Sequence, residues 1–215
     1  MGFLDQLKSQ AAELTNQNSD NARDLSVNFV KTEAACEIVS HYLRELAKQL
    51  NVIEPTGPRF ILNGNTPWPA MKLVKFSADA RKKSFRDKEA FDTISIGWTM
   101  IPKMGIPVGG AVIVSFLPDA DNVQRMLDLA GVSYERKEHR HPERRSLLSV
   151  RFEYTTQARG GVMVTADHDA AQLVFRVANA EGFGVFTIPI ESERVNSNLM
   201  DELAKLIVAQ PSRFP

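Results

Sequence analysis

The 215-residue chain contains one cysteine, no excess charge of either sign and no long apolar run. Because Cys36 has no second cysteine to pair with, an internal disulfide and a cysteine-rich zinc site are excluded, and a cytoplasmic location is expected. The zero formal net charge removes a general attraction to nucleic acid or to an anionic membrane. The longest apolar runs, such as Val108–Leu117, have about the length of a strand, whereas a membrane span needs about 18 residues. Neither a membrane span nor a secretory signal is therefore expected.

The first 50 residues are predicted to be mostly helical. Residues Gly2–Leu14 have one apolar stripe and form a short amphipathic helix. The polar segment Thr15–Asp24 is predicted to be a linker or an exposed turn. A longer helix from about Ser26 to Leu50 follows, and its predicted buried stripe consists of Val27, Val30, Ala34, Ile38, Tyr42, Leu46 and Leu50. Residues 1–24 are thus predicted to be an appendage of one domain, 25–215. Two alternatives are open for the short helix of this appendage: it docks on the domain of its own chain, or it pairs two chains in a homo-oligomer.

Beyond residue 58 the pattern changes to that of strands, because short segments rich in β-branched and aromatic residues alternate with Gly, Pro and charged residues. Two more helices are predicted, one beginning near Asp119 and one near Asn196. Strands followed by one helix occur twice, in residues 25–131 and 132–215. Short connections favour antiparallel pairing, so the predicted fold is α+β, with about eight strands and helices on one face of the sheet.

Two loops are unusually apolar and are predicted to bind a ligand. One is Asn65–Met71, in which Trp68 lies between two prolines, and the other is Ile101–Pro107, which connects two strands. Proline-stiffened loops present apolar side chains at a low entropic cost. The predicted ligand-binding residues are Trp68, Met71, Ile101, Met104 and Ile106. The alternative is that Trp68 and Met104 fold over the end of the core.

A second hypothesis is a metal-assisted hydrolase that uses two polar segments. In an extended segment His139 and His141 point the same way, and Asp167 and His168 adjoin a predicted turn. These residues form a metal site only if the two segments converge. The alternative for the first segment is a solvated loop, and for Asp167 a carboxylate that bonds its own turn.

No nucleotide-binding, α/β-hydrolase or zinc-protease motif is present in the sequence. Two basic segments, Arg81–Lys88 and Arg136–Arg145, allow a nucleic-acid hypothesis, but it ranks last because the net charge is zero. The sequence therefore predicts a non-catalytic binding protein that engages a partner protein or a small apolar ligand through its apolar loops. No cofactor is expected.

Overall fold

The computed structural model describes the backbone of residues 3–62 and 66–215 and, within these ranges, the side chains from Asp24 onward except that of Pro67. The fold is α+β, as predicted, and every pair of neighbouring strands is antiparallel. The described residues form three α-helices: α1 (Phe3–Ile53), α2 (Leu117–Leu129) and α3 (Ser197–Ile207). Their strands are β1 (Ile61–Leu62), β2 (Thr66–Pro67), β3 (Met71–Phe85), β4 (Lys88–Pro102), β5 (Gly109–Val114), β6 (Tyr134–Arg140), β7 (Leu147–Thr155), β8 (Ala158–Asp167), β9 (Gln172–Ala178) and β10 (Val185–Glu191).

Helix α1 continues without a break through residues 15–24, where the sequence predicts a linker or turn. This segment is rich in Asn, Asp and Ser, which favour turns, but it has no Gly or Pro to stop helix propagation. The predicted apolar stripe of residues 2–14 lies outside the described side chains. Within the described ranges no helix has both the length and the apolar character that crossing a bilayer requires.

The buried face of α1 differs from the predicted stripe. Val27, Val30 and Ile38 are 43%, 64% and 38% exposed, and only the C-terminal part of the predicted stripe reaches the core. Steps of four residues advance about 40° beyond a full turn, so a stripe with repeated four-residue spacing winds around the helix. Among the described side chains, the buried residues of α1 are Thr32, Ala35, Cys36, Val39, Ser40, Leu43, Ala47 and Leu50, of which only Leu50 belongs to the predicted stripe.

The larger sheet has five strands in the order β10-β9-β8-β4-β3, and α1 packs on it, mainly against β3 and β4. Its buried face includes alternate residues of β4, namely Ile94, Ile96, Trp98 and Met100. Helix α3 packs beside α1, where the Tyr42 hydroxyl donates to Asp201 Oδ1 at 2.6 Å. This sheet and the two helices form most of the core.

The long β3–β4 hairpin includes a segment that the sequence does not identify as strand. Residues Arg81–Lys88 are predicted to be a loop or short helix, but β3 extends to Phe85 and β4 begins at Lys88. The two-residue turn consists of Arg86 and Asp87, both with positive φ. The strand character is hidden because both faces are largely solvent-exposed here, so the polar–apolar alternation disappears.

The smaller sheet has the order β5-β7-β6, and α2 packs on one face of it. The buried residues of α2 are Ala120, Val123 and Leu127, and the ring of Tyr134 packs edge-on against that of Phe152. Both sheets contain strands from each predicted half, since β3 and β4 pair with the β8–β10 sheet while β5 pairs with β7. The two halves are therefore interleaved and do not form separate lobes.

Candidate functional site

A cleft of about 920 Å³ lies beside the start of β3. Four segments of the chain surround it: residues 56–61, residues 68–71 with Lys103, residues 180–181, and residues 206 and 208–211 at the end of α3. Binding sites for small molecules typically have volumes of about 300–1,000 Å³. The cleft is therefore large enough to hold an organic ligand.

Backbone hydrogen bonds position the walls of the cleft. The N–H of Gly57 donates to the carbonyl of Met71 at 2.9 Å, and the N–H of Leu73 donates to that of Pro55 at 2.8 Å. On the other wall, the N–H of Trp68 donates to the carbonyl of Phe60 at 3.0 Å. These bonds hold residues 55–60 beside the chain from Trp68 into β3, so the cleft has a rigid wall.

The two predicted binding loops differ in exposure. Trp68 is 7% exposed and Met71 is 1% exposed, so both are core residues although they line the cleft. Met104 is 91% exposed and Ile106 is 71% exposed, while Ile101 is half-buried in β4. Trp68 therefore folds over the core, as the alternative interpretation of its loop predicts. Met104 does not, because its loop projects into solvent.

An aromatic cluster lies behind the cleft and explains the burial of Trp68. Its indole stacks on the ring of Tyr154, with centroids 5.3 Å apart and planes 4° from parallel. Phe183 meets the indole edge-on at 5.0 Å and also packs against Phe60 at 4.8 Å. The indole Nε1 of Trp68 is buried and has no hydrogen-bond partner among the described residues. The cluster connects the cleft to β7 of the smaller sheet.

The loop that carries Met104 is attached to the cleft. The N–H of Lys103 donates to the carbonyl of Ala70 at 2.8 Å, and both residues line the cleft. Gly105 has a φ of 86° and donates its N–H to the carbonyl of Pro102 at 2.7 Å, which closes a tight turn. A left-handed residue at this turn favours glycine. The turn that carries Met104 thus has a constrained backbone and begins at Lys103, the residue of this turn that lines the cleft.

The ionisable groups at the cleft are few. Among the described residues that line it, Arg59, Lys103 and Glu181 are ionisable, all three are exposed, and no histidine, cysteine or aspartate contributes to the lining. General acid–base or nucleophilic chemistry normally uses a pair of such groups within hydrogen-bond reach. No hydrogen bond or ion pair joins these three among the described residues. The lining of the cleft therefore combines apolar side chains with two cationic groups and one carboxylate.

The structure does not bring the predicted metal ligands together. His139 lies in β6, at the edge of the smaller sheet, and His141 follows that strand; the Nδ1 atom of His141 accepts N–H bonds within its own turn. Asp167 and His168 lie at the β8–β9 turn of the larger sheet. The described residues contain no group of three or more His, Cys, Asp or Glu side chains arranged to hold a metal ion.

Asp167 and His168 have structural contacts at the β8–β9 turn. Asp167 Oδ1 accepts the N–H groups of residues 169 and 170, as the turn interpretation predicts. His168 is 2% exposed, and its Nε2 lies 2.8 Å from Glu33 Oε1, which also accepts the N–H of Phe91. The imidazole lies against the rings of Phe29 and Phe85, with centroids 5.2 and 5.0 Å away. These contacts anchor the turn to α1 and β4.

A second concavity, of about 430 Å³, adjoins this anchor. Its lining consists of Leu25, Ser26, Phe29, Phe85, Arg86 and Lys88. The ammonium of Lys88 lies 5.3 Å from the centre of the Phe29 ring, and Arg86 is paired with Asp169 at 2.7 Å. It is smaller than the cleft at β3 and has no turn that projects apolar side chains beside it.

The basic segments form ion pairs with neighbouring carboxylates. In β3 and β4, Lys83 contacts Asp92, and in the smaller sheet Lys137 contacts Glu153. Arg136 and Arg140 both contact Glu138, and these side-chain contacts lower the pKa of the Glu138 carboxyl. Compensated, exposed pairs of this kind do not form a continuous cationic surface for phosphates.

Sequence reasoning missed most of the cleft wall. Phe60 and the segment that follows α3 are brought there by the tertiary fold, and their local patterns predict only a strand and a polar tail. The one usable signal was proline: Pro58, Pro69 and Pro211 mark three of the four lining segments. Comparisons of this chain with protein-family models, with curated proteins and with solved structures return no match.

Proposed function

We propose that this protein is a non-catalytic binding protein whose cleft holds a small, largely apolar ligand with a polar or anionic end. The observation that carries the proposal is the combination of a 920 Å³ cleft with a constrained apolar turn at its rim. The Trp68 and Met71 side chains contribute a rigid apolar wall, and Lys103 and Arg59 are placed to attract an anionic group.

The exposed side chains Met104 and Ile106 fit the same role. A monomeric domain gains nothing from placing them in water, whereas contact with a bound apolar molecule would bury them. Their turn is attached to Ala70 by the backbone bond of Lys103, so contact of these side chains with an occupant would not require ordering of a flexible loop. The cleft then supplies the site and the Met104 turn supplies a cover.

The test uses 1-anilinonaphthalene-8-sulfonate, an apolar ring system with an anionic group. We expect one probe molecule per chain to bind the folded protein. Ile61→Glu, which places a charge on the cleft wall, and Lys103→Glu, which reverses the rim charge, should each raise the dissociation constant at least about tenfold. Fluorescence titration measures the constant, and native mass spectrometry measures the stoichiometry.

The matched control is Val30→Glu, which adds the same charge at an exposed apolar position of α1 outside the cleft lining. It should leave the dissociation constant unchanged. Equal affinities in all four proteins, or equal weakening in the control, would count against the cleft as the binding site. Thermal unfolding of each variant distinguishes a lost site from a lost fold.

A further inference from the structure

Strand β5 lies at the edge of the smaller sheet and pairs only with β7 among the described residues. Its sequence is GGAVIV, and no charged residue occurs between Lys103 and Asp119. Gly109, Ala111 and Ile113 are exposed, Ile113 to 58%, and Phe116 just beyond the strand is 63% exposed. The outer side of this strand is therefore an accessible, uncharged and apolar edge.

The hydrogen bonds next to the start of β5 show which of its backbone groups point toward β7. The N–H of Thr156 donates to the carbonyl of Val108, and the N–H of Thr155 donates to Ser133 next to β6. Even-numbered residues of β5 therefore face β7, since bonding direction alternates along an antiparallel strand. The N–H and C=O groups of Gly109, Ala111 and Ile113 point away from the sheet. None of these three N–H groups has a partner in the part of the chain that the structure describes.

The other three edges of the two main sheets carry features that block strand addition. Strand β6 is YERKEHR, so charged or histidine side chains occupy six of its seven positions. Strand β3 has six charged residues and two register shifts, and β10 contains Pro189. Native proteins protect sheet edges with charge, proline and bulges. Strand β5 has none of these, which indicates that its edge is covered in the working protein.

We propose that β5 pairs antiparallel with β5 of a second copy of this chain, about a two-fold axis at Ala111, to give a continuous six-stranded sheet. In this register Ala111 faces its own equivalent, and Gly109 faces Ile113 of the second copy. The outward groups of both strands then form on the order of six hydrogen bonds. Pairing through β5 does not use the N-terminal helix or the cleft, so it is independent of the proposed ligand.

When two copies of β5 run antiparallel, the small residues of one strand lie opposite the large residues of the other. The strand begins with two glycines and ends with two large apolar residues, so the Ile113 side chain lies over the bare backbone of Gly109 in the partner. Within a single chain nothing lies within 4 Å of where a Cβ of Gly109 would be, so internal packing does not require glycine there. Pairing about Ala111 supplies a reason for it.

Charge does not oppose pairing of β5 with its own copy. The chain carries no charged residue from Met104 to Pro118. Two copies of β5 can therefore pair about Ala111 without placing like charges opposite each other, which would be unfavourable.

The experiment measures the mass of the full chain in solution by sedimentation velocity over a micromolar concentration series. We expect the wild-type chain to be a dimer. Ala111→Lys and Ile113→Lys each place a charge on the open edge and should raise the dimer dissociation constant at least about tenfold. The matched control, Thr187→Lys, adds the same charge at an exposed position of the β10 edge and should remain dimeric.

Amide hydrogen exchange reports on the register directly. In the wild-type dimer the N–H groups of residues 109, 111 and 113 should exchange slowly, and Ile113→Lys should make the first two exchange quickly. The N–H groups of Gly110, Val112 and Val114 bond to β7 and should stay protected in both proteins. A monomeric wild type, or a dimer that survives both lysine variants, would overturn the proposal. Retained protection of Val112 shows that a monomeric variant is still folded.

Discussion

The thiol of Cys36 lies on the buried face of α1, where the side chain is 1% exposed. Burial raises its pKa to about 12, and the nearby carboxylates of Glu33 and Glu37 act in the same direction. A thiolate is the reactive form of cysteine, so the native side chain is protected from alkylation and oxidation. Cys36 is therefore a packing residue of the core.

The raised thiol pKa predicts a pH dependence of stability. Below the unfolded pKa of about 9 the thiol is neutral in both states, and its contribution to the free energy of unfolding is constant. Between about pH 9 and 12 only the unfolded chain ionises, so this contribution falls by about 1.4 kcal/mol per pH unit. Urea unfolding of wild type and Cys36→Ala measures the difference, since other groups cancel. A difference that stays constant up to pH 11 would refute the prediction.

At the same scale, Trp68 shows how far the site could be predicted. A tryptophan between prolines lies in a segment that lines the cleft, but its side chain is buried. The sequence could not show that the indole would stack on Tyr154, because that contact depends on how the tertiary fold brings β7 to this segment. For both Trp68 and Met104 the sequence left exposure and burial as alternatives, and the structure gives a different outcome for each. The local turn at Gly105 is a feature of the sequence, whereas the burial of a side chain depends on contacts between distant segments.

The glycine pairs show the same limit. Glycine pairs near strands suggest bulges or tight turns, but Gly109 and Gly110 open β5, and Gly160 and Gly161 lie inside β8. A Cβ on Gly110 would collide with the ring of Tyr154, and one on Gly160 with the indole of Trp98. A glycine that makes room for a ring on another strand cannot be distinguished by sequence from one that bends its own strand.

At the scale of elements, the strands were largely predictable because one face of each is buried, and alternation then marks the strand. The prediction failed where both faces of a strand are exposed to solvent, as in the outer half of the β3–β4 hairpin. The buried face of α1 was predicted wrongly for a different reason: the helix has more apolar residues than the sheet covers. Its exposed residues Val27 and Val30 look like core in the sequence.

The β3–β4 turn supports a prediction about element stability. Arg86 and Asp87 have φ values of 50° and 62°, as in a type I′ turn, in which glycine is favoured at the second position. Asp87→Gly should therefore raise the free energy of unfolding by about 0.5 kcal/mol. The matched control, Glu89→Gly in β4, should lower the free energy of unfolding by about 1 kcal/mol. Residue 89 has an ordinary strand conformation, so glycine relieves no strain there and loses more conformational entropy on folding. Urea unfolding measures both, and a loss of stability in Asp87→Gly would contradict the turn assignment.

At the scale of the whole molecule, buried residues of the two sheets belong to one hydrophobic core, and specific contacts join the two parts. One is the stack of Trp68 on Tyr154, and another is the bond from the Arg159 N–H to the carbonyl of Ala130 at 2.7 Å, which attaches β8 to the end of α2. The pattern of strands and helices indicated the α+β class but not this interleaving of halves. Strand order depends on which edges meet, and local patterns carry little information about that.

Asn179 is the polar centre of this junction. Its Nδ2 donates to the carbonyls of Arg159 at 2.8 Å and Leu129 at 3.3 Å, and its Oδ1 accepts the N–H of Gly184 at 3.0 Å. The side chain is 1% exposed, and the backbone has a φ of 57°. One residue therefore ties β8, the end of α2 and the β9–β10 turn together.

Replacing Asn179 should weaken the whole fold rather than one sheet. Asn179→Gly keeps the left-handed backbone but leaves buried partners without hydrogen bonds, which should lower the free energy of unfolding by about 1–3 kcal/mol. Asn179→Ala should cost about 1 kcal/mol more, because alanine is strained at this φ. Far-UV circular dichroism and tryptophan fluorescence during urea unfolding should give one coincident, shifted transition. Separate transitions would show that the sheets unfold independently, and a Gly variant as stable as wild type would show that the junction does not depend on this side chain.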